Sequence, residues 1–326
     1  MTMIRLLTPE NHAVISLLTE AQMIYRCRRN QSGLLTERLP LKPYGSDHSQ
    51  PAQVLFTWES DDNAAEWSLS EFPDGSAPVC TQTGGNSAIV ANLKIGTVYY
   101  WRVGDSEIRS FKTGDLPPRM LSVDGITNVR DLGGWKTADG HSVRQGLLFR
   151  GSEMDLRVNI TDEGIRTMRD TLGIRTELDL RYPDAVCGRT ESVLGADIRY
   201  IWISVYAYSE LFRFRDEIRQ IFTHLSEEAN YPLFFHCYGG ADRTGMLALL
   251  VLAMLGVSEE DIRLDYEMTT CSVFGYRSYE TSYMAEFLDR LNRYPGDTFR
   301  RRVISFLHDC GCTDVLLEKI RAILIR

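Results

Sequence analysis

The chemistry of this chain is concentrated in one stretch, Tyr231 to Gly245, where a cysteine and an arginine stand with five residues between them. The apolar run Leu233 to Phe235 is short and aromatic enough for a buried strand. His236 and Cys237 follow, then Tyr238, Gly239, Gly240, Ala241, Asp242, Arg243, Thr244 and Gly245. Met246 to Leu255 then reads as a buried helix. The order is strand, tight loop, helix N-terminus. Cys237 at the loop mouth would feel inward-pointing backbone amides, the positive end of a helix and the charge of Arg243, and such surroundings favour a thiolate at neutral pH. The same amides and helix dipole make an anion cradle. Gly239 and Gly240 permit turns that a side chain would obstruct. The guanidinium of Arg243 can grip two oxygens of one phosphoryl group. Nucleophile and cradle together point to phosphoryl transfer through a phosphocysteine.

The elements that must position these groups form an α/β unit over residues 118–326. Strands are expected at 146–151, 175–181 and 199–204, the first and second ending in turns or charges. Helices are expected from the Thr161 cap to about Leu172, at 215–225, after the Ser258 cap, and near 282–291, 298–310 and 313–325. Strands separated by helices imply a parallel or mixed sheet, with its site at the C-terminal edge of the strands. Residues 1–117 read instead as all-β. A short strand near Ala13 and a helix from Thr19 to about Arg28 come first. Residues 32–50, with Pro40, Pro43 and Gly45, read as a loop or arm. Alternating strands follow near 53–58, 66–70, 87–90, 98–103 and 108–112. Tyr99, Trp101 and Val103 share one strand face and should fill a core with Trp58. The linker expected between the two parts is Thr113 to Pro118.

Two resemblances add to this reading. His-Cys-x-x-Gly-x-x-Arg-Thr-Gly, with its flanking strand and helix, resembles the signature of the cysteine-dependent protein tyrosine phosphatase superfamily, in particular a bacterial group of tyrosine, dual-specificity and phosphoinositide phosphatases. Asn128 to Gly134 and Arg175 to Arg181 resemble further motifs of that group. The resemblance implies that Cys237 attacks phosphorus, Arg243 holds the equatorial oxygens, and Thr244 donates its hydroxyl to the departing thiolate. It implies a thiolate already formed, so His236 is expected to position the loop rather than act as a base. The backbone of Tyr238, Gly239, Gly240, Ala241 and Gly245 would line the phosphate. Arg130, Asp131, Asp179 and Arg181 would touch substrate or loop, or else form an ion-pair network bracing the sheet edge. The second resemblance, Leu-x-x-x-Thr-x-Tyr at Leu93 to Tyr99, is to the end of a fibronectin type III domain, whose tyrosine corner it would supply.

The general acid is open at this point. The loop after Arg199 to Ser204, where that family places an Asp, reads Val205 to Leu211 and has none. Asp242 is the in-loop alternative, as acid or as a brace hydrogen-bonded to backbone, and Glu210 and Asp184 are the remaining carboxylates. Tyr206 and Tyr208 would stack on a phosphotyrosine ring or lie as surface aromatics. Ala241 stands where that bacterial group often carries Lys, which favours phosphotyrosine over a polyphosphoinositide substrate. A phosphoinositide phosphatase and a catalytically weak phosphate-binding scaffold are the competing readings.

Composition sets the bounds. The 326 residues suit two ordinary domains. The net charge, 36 basic minus 44 acidic, is −8, which argues against a nucleic-acid partner and leaves attraction of phosphate a local matter. Seven scattered cysteines suggest reduced thiols, with Cys310-Gly-Cys312 the only close pair. The dispersed histidines show no zinc pattern, and no metal or other cofactor is expected. The longest apolar run, Met246 to Leu255, is 10 residues, too short to span a bilayer. The expected location is cytoplasmic, with a phosphomonoester substrate and a protein partner for the β module.

Overall fold

The computed structural model describes residues 4–28, 47–61 and 64–326. The chain forms two compact units. The first comprises the residues up to Thr19 together with Pro51–Arg119. Its strands are β1 (Ile4–Thr8), β2 (Ala13–Ile15), β3 (Val54–Ser60), β4 (Glu66–Ser70), β5 (Cys80–Thr83), β6 (Ser87–Val90), β7 (Val98–Val103) and β8 (Arg109–Thr113). They make two sheets, in the orders β1-β3-β6 and β2-β8-β7-β4-β5. Strand alternation turns Phe56 and Trp58 of one sheet, and Trp67, Tyr99, Trp101, Val103 and Phe111 of the other, into one buried core. The ring of Phe56 meets Trp67 and Trp101 edge-on, at centroid distances of 4.9 and 5.3 Å. Sequence alternation predicts this core. The Tyr99 hydroxyl accepts from the Lys94 amide at 2.9 Å.

The second unit holds Met120–Arg326 and also residues 20–28 and 47–50. The sequence reading places these latter residues with the β module and the boundary at 117/118. Instead, helix α1 (Glu20–Arg28) packs with the second unit, and the chain passes from the first unit for the last time after Arg119. Most of the arm expected at 32–50 lies outside the described residues. The sheet of this unit has the order β13-β12-β14-β11-β10-β9, from β9 (Arg119–Met120), β10 (Arg130–Asp131), β11 (Leu148–Gly151), β12 (Thr176–Asp179), β13 (Arg199–Trp202) and β14 (Leu233–His236). The pairs β11–β14, β14–β12 and β12–β13 are parallel, and β10–β11 is antiparallel. Gly151, Asp179 and His236 end their strands side by side in register.

Helices cover the sheet: α2 (Asp162–Arg166), α3 (Pro183–Val186), α4 (Arg215–Leu225), α5 (Asp242–Leu255), α6 (Glu259–Glu267), α7 (Ser282–Asn292), α8 (Phe299–Asp309) and α9 (Asp314–Leu324). Helix α5 is buried from Arg243 to Leu255, as a helix apolar all round must be. Helices α6, α8 and α9 start at Ser258, Thr298 and Thr313, whose side chains accept backbone amides three residues on. The helix expected to run from Thr161 to Leu172 gives way after Arg166 to a wide π-turn, Thr167–Thr171. Among the described residues no helix is long and apolar enough to cross a membrane.

Candidate active site

Strand β14 delivers Cys237 to the C-terminal edge of the sheet, and the loop behind it turns into the first residue of α5. Cys237 is buried there. The loop has its shape because its carbonyls are held from outside. Tyr238 O accepts from the Glu153 amide at 2.9 Å, Gly239 O from Asn128 Nδ2 at 2.8 Å, and Gly240 O from Arg150 Nη2 at 2.6 Å. In a trans peptide the carbonyl and the next amide point opposite ways. Three carbonyls drawn outward therefore turn the amides of Gly239, Gly240 and Ala241 inward, and these find no acceptor among the described residues. Ala241 caps α5 without a side-chain hydrogen bond, so the helix start adds its free amides to the same face.

The two glycines are demanded by geometry. Gly240 has φ +62°, and a Cβ on it would lie 2.3 Å from the carbonyl carbon and oxygen of Gly151. A Cβ on Gly239 would lie 2.8 Å from the Phe274 ring. Gly245, one turn into α5, packs so closely on Tyr266 that a Cβ would lie 2.8 Å from its ring.

Arg243 is nearly buried and its guanidinium is cradled rather than paired. It lies 4.0 Å from the Tyr182 ring centroid and 5.1 Å from that of Tyr238, and Nη1 donates to Leu180 O at 3.3 Å. No carboxylate among the described residues pairs with it. Thr244 is fully buried, and its hydroxyl makes no hydrogen bond, so the expected bond to the Cys237 sulfur is not formed here.

Asp242 faces away from the loop backbone. Its Oδ1 accepts from Arg277 Nε at 2.8 Å and from the Tyr208 hydroxyl, and its Oδ2 from Arg277 Nη2 at 3.1 Å. Side chains, rather than the loop backbone, hold this carboxyl group. Tyr208 sits at φ +55°, an expensive conformation for an aromatic residue, and its hydroxyl also meets that of Tyr266 at 2.7 Å. Burial first, then the Asp242 charge, push the Tyr208 phenol far above its ordinary range. Tyr208 is thus tied down through its hydroxyl. Tyr206, half exposed, lies between Tyr182 and Phe214, at centroid distances of 4.5 and 5.1 Å. Glu210 pairs with Arg213 on the surface and Asp184 is exposed in α3; neither belongs to the loop.

The other charged residues near the strand ends have partners within the fold. Arg130 and Arg150 both grip the buried Asp265, at 2.9 and 2.5 Å. Arg130 also donates to Asn128 Oδ1 at 2.5 Å. Burial pushes the Arg150 guanidinium down to about 10, with neighbouring Arg130 acting the same way and Asp265 opposing. Burial works to raise Asp265, but Arg130 and Arg150 outweigh it and hold it below the usual carboxylate range. Asp131 accepts from the amides of Gly133 and Gly146 at 2.7 and 2.6 Å. Arg181 spends its donors on Asp179, Glu153 and Asp155. In Arg130, Asp131 and Arg181 these polar atoms are thus engaged by other groups of the fold.

His236 lies fully buried beneath the loop with Nε2 2.9 Å from Glu177. Burial disfavours its charge, yet Asp179 and Glu177 outweigh that and the net direction is up. Glu177, Asp179 and His236 bring three potential ligand atoms within 4.8 Å. Arg181 and Arg189 already neutralise these carboxylates, so the group reads as a charge-balanced support. Asn128 and Arg150 lie in stretches whose motifs the sequence flags, but their grip on the loop does not follow from it. Asp265, Arg277 and Tyr182 carry no local signal.

A family model described as the tyrosine phosphatase family matches residues 121–326. A protein of Cupriavidus necator, provisionally named a tyrosine-protein phosphatase, is 32% identical over 171 residues, 45% of this chain and 61% of that one. The chain thus spans less than two thirds of that relative. The core catalytic domain of the PP-IP phosphatase SIW14 from S. cerevisiae is 17% identical, over 58% of this chain and 97% of that chain, with a TM-score of 0.36. The P. aeruginosa TpbA structure is 16% identical, over 54% and 96%, with a TM-score of 0.33. Scores this low carry no weight for substrate or mechanism. The family match does carry weight, since it covers more than half of the sequence and includes the whole loop: this chain belongs to the tyrosine phosphatase family.

Proposed function

We propose that the chain is a phosphomonoester hydrolase working through a phosphocysteine, with phosphotyrosine as the favoured substrate. One observation supports the reading: the carbonyls of the loop are held from outside while Arg243, at the loop's end, has no carboxylate partner among the described residues. A dianionic phosphoryl group supplies the missing counter-charge. The Cys237 thiolate attacks phosphorus, forming an S–P bond as the ester P–O bond breaks. Amides and guanidinium stabilise the charge spread over the equatorial oxygens. The leaving oxygen takes a proton, for which Asp242 is the carboxyl group beside Arg243. Water then attacks phosphorus, the P–S bond breaks, and inorganic phosphate leaves with the thiolate regenerated. Thr244 can turn its unused hydroxyl toward that sulfur.

The aryl preference rests on Ala241, which brings no second cation, and on the Tyr182–Tyr206–Phe214 row beside Arg243. A reducing, cytoplasmic setting suits a mechanism that needs a free thiol, and the seven cysteines are free. The β-sandwich, with the Tyr99-to-Lys94 bond of a tyrosine corner, is read as fibronectin type III-like and as a module for a protein partner.

The test is turnover of phosphotyrosine peptides against phosphoinositides, with and without EDTA, beside a Cys237→Ser control. Hydrolysis of the peptides should persist in EDTA and vanish in the variant, which should still bind phosphate. Activity surviving Cys237→Ser would refute the phosphocysteine; faster turnover of phosphoinositides would reassign the substrate.

A further inference from the structure

The matched family region begins at residue 121, yet the second unit includes residues far upstream of it. We infer that the segment 47–50 positions the phosphate loop, acting from Ser49 through Asn128. The inference rests on the phosphatase reading for its meaning, but not for its geometry. Ser49 is buried, and its hydroxyl donates to Asp47 Oδ1 at 2.6 Å. A serine has one proton to give, so toward everything else Ser49 Oγ is an acceptor. It receives the Asn128 amide at 2.9 Å and the Thr127 hydroxyl at 3.1 Å.

Asn128 is the next link. It is fully buried with φ +60°, a conformation that needs support from its surroundings. The Ser49 bond to its amide supplies that support from one side, and Arg130 on Oδ1 from the other. The amide group so oriented sends Nδ2 to Gly239 O at 2.8 Å. That carbonyl sets the direction of the Gly240 amide. A relay of Asp47, Ser49, Asn128 and Gly239 thus runs from the N-terminal segment to the cradle.

The segment is itself tied down. The His48 amide donates to Cys271 O at 2.8 Å. Gln22 of α1 donates through Nε2 to His48 O and Gln50 O, at 2.7 and 2.8 Å. The Tyr25 hydroxyl of the same helix donates to Thr270 Oγ1 at 3.2 Å. Ser49 touches no substrate in this arrangement; it is a positioning residue contributed from outside the family's matched region.

The experiment uses the full chain. Ser49→Ala should lower kcat/KM for an aryl phosphate by about tenfold, the worth of a buried hydrogen bond. It should weaken orthovanadate binding by a similar factor, and Asn128→Ala should do at least as much. The double variant should be no worse than Asn128→Ala alone, because both act through one link. Asp47→Ala, which leaves Ser49 in place but frees its hydroxyl, should give a smaller loss in the same direction and keeps the question answerable if Ser49→Ala does not fold. Vanadate affinity and kcat/KM within twofold of the parent in the folded variants, or fully additive losses in the double variant, would overturn the relay. Vanadate binding separates this failure from a failure of the phosphocysteine reading, since it reports the cradle without turnover.

Discussion

Asp265→Asn should cost the catalytic unit far more stability than any loss of a surface ion pair. Asp265 lies fully buried between two fully buried arginines, Arg130 at 2.9 Å and Arg150 at 2.5 Å. Asparagine keeps the size and leaves one oxygen to accept, but two guanidinium groups then share no counter-charge. Removing one partner from a buried ion pair costs about 3–5 kcal/mol. At about 2–4 °C per kcal/mol for a unit of this size, the melting midpoint should fall by about 6–20 °C. Because the chain has two units, thermal loss of vanadate binding is the appropriate signal, as it reports the second unit alone. The pH dependence has a definite sign. The folded-state Asp265 is held below the usual carboxylate range by the arginines, so its stabilisation is fully present above the unfolded value of about 3.9. It is lost as pH falls through the folded value. The gap between parent and variant should therefore be constant at neutral pH and close in strong acid. The variant should also lose activity below its melting point, since Arg150 holds Gly240 O at 2.6 Å. A midpoint change corresponding to less than about 0.5 kcal/mol, the range of ordinary surface substitutions, would refute the claim that this charge cluster supports the loop.

Two further outcomes follow from the loop itself. Gly240→Ala places a methyl 2.3 Å from the Gly151 carbonyl at φ +62°; neither backbone can yield, so kcat/KM for an aryl phosphate should fall by more than about 100-fold, and a loss under tenfold would contradict the close approach. Asp242→Asn should slow esters of basic phenols by about 10²–10⁴ and activated esters little, with Arg277→Gln showing the same pattern because Arg277 fixes that carboxyl group from two sides. Equal losses across leaving groups would make Asp242 a clamp and not an acid.

The site was legible where its parts are contiguous. Cys237, the glycines, Arg243 and the buried helix behind them can be read in order because strand, turn and helix each leave a local pattern. The amphipathic helix Arg215–Leu225 and the caps at Ser258, Thr298 and Thr313 are legible for the same reason. Strands of two residues, such as Arg130–Asp131, are too short for any period to show. The acidic face of α6 hides Asp265: a carboxylate in Glu259–Glu267 looks like one more solvated residue. Its partners lie 135 and 115 positions away. Helix α1 was visible as a helix, but nothing local says which unit it packs on.

The arginines make the deeper point about what a sequence conceals. Arg130, Arg150, Arg181 and Arg243 all sit near the strand ends, and residue type alone makes each a credible phosphate ligand. What separates them is the location of their counter-charges. Arg130 and Arg150 share Asp265, and Arg181 is surrounded by Asp179, Glu153 and Asp155. A buried charge that is already paired gains little from a further anion, while an unpaired one gains a great deal. Arg243 instead meets two aromatic rings and a carbonyl, which hold a cation in place without neutralising it. The fold spends acids on every arginine that must support the loop and leaves this one uncompensated. On the phosphatase function proposed above, that asymmetry, set by residues distant in sequence, is what would direct a phosphoryl group to one guanidinium among four.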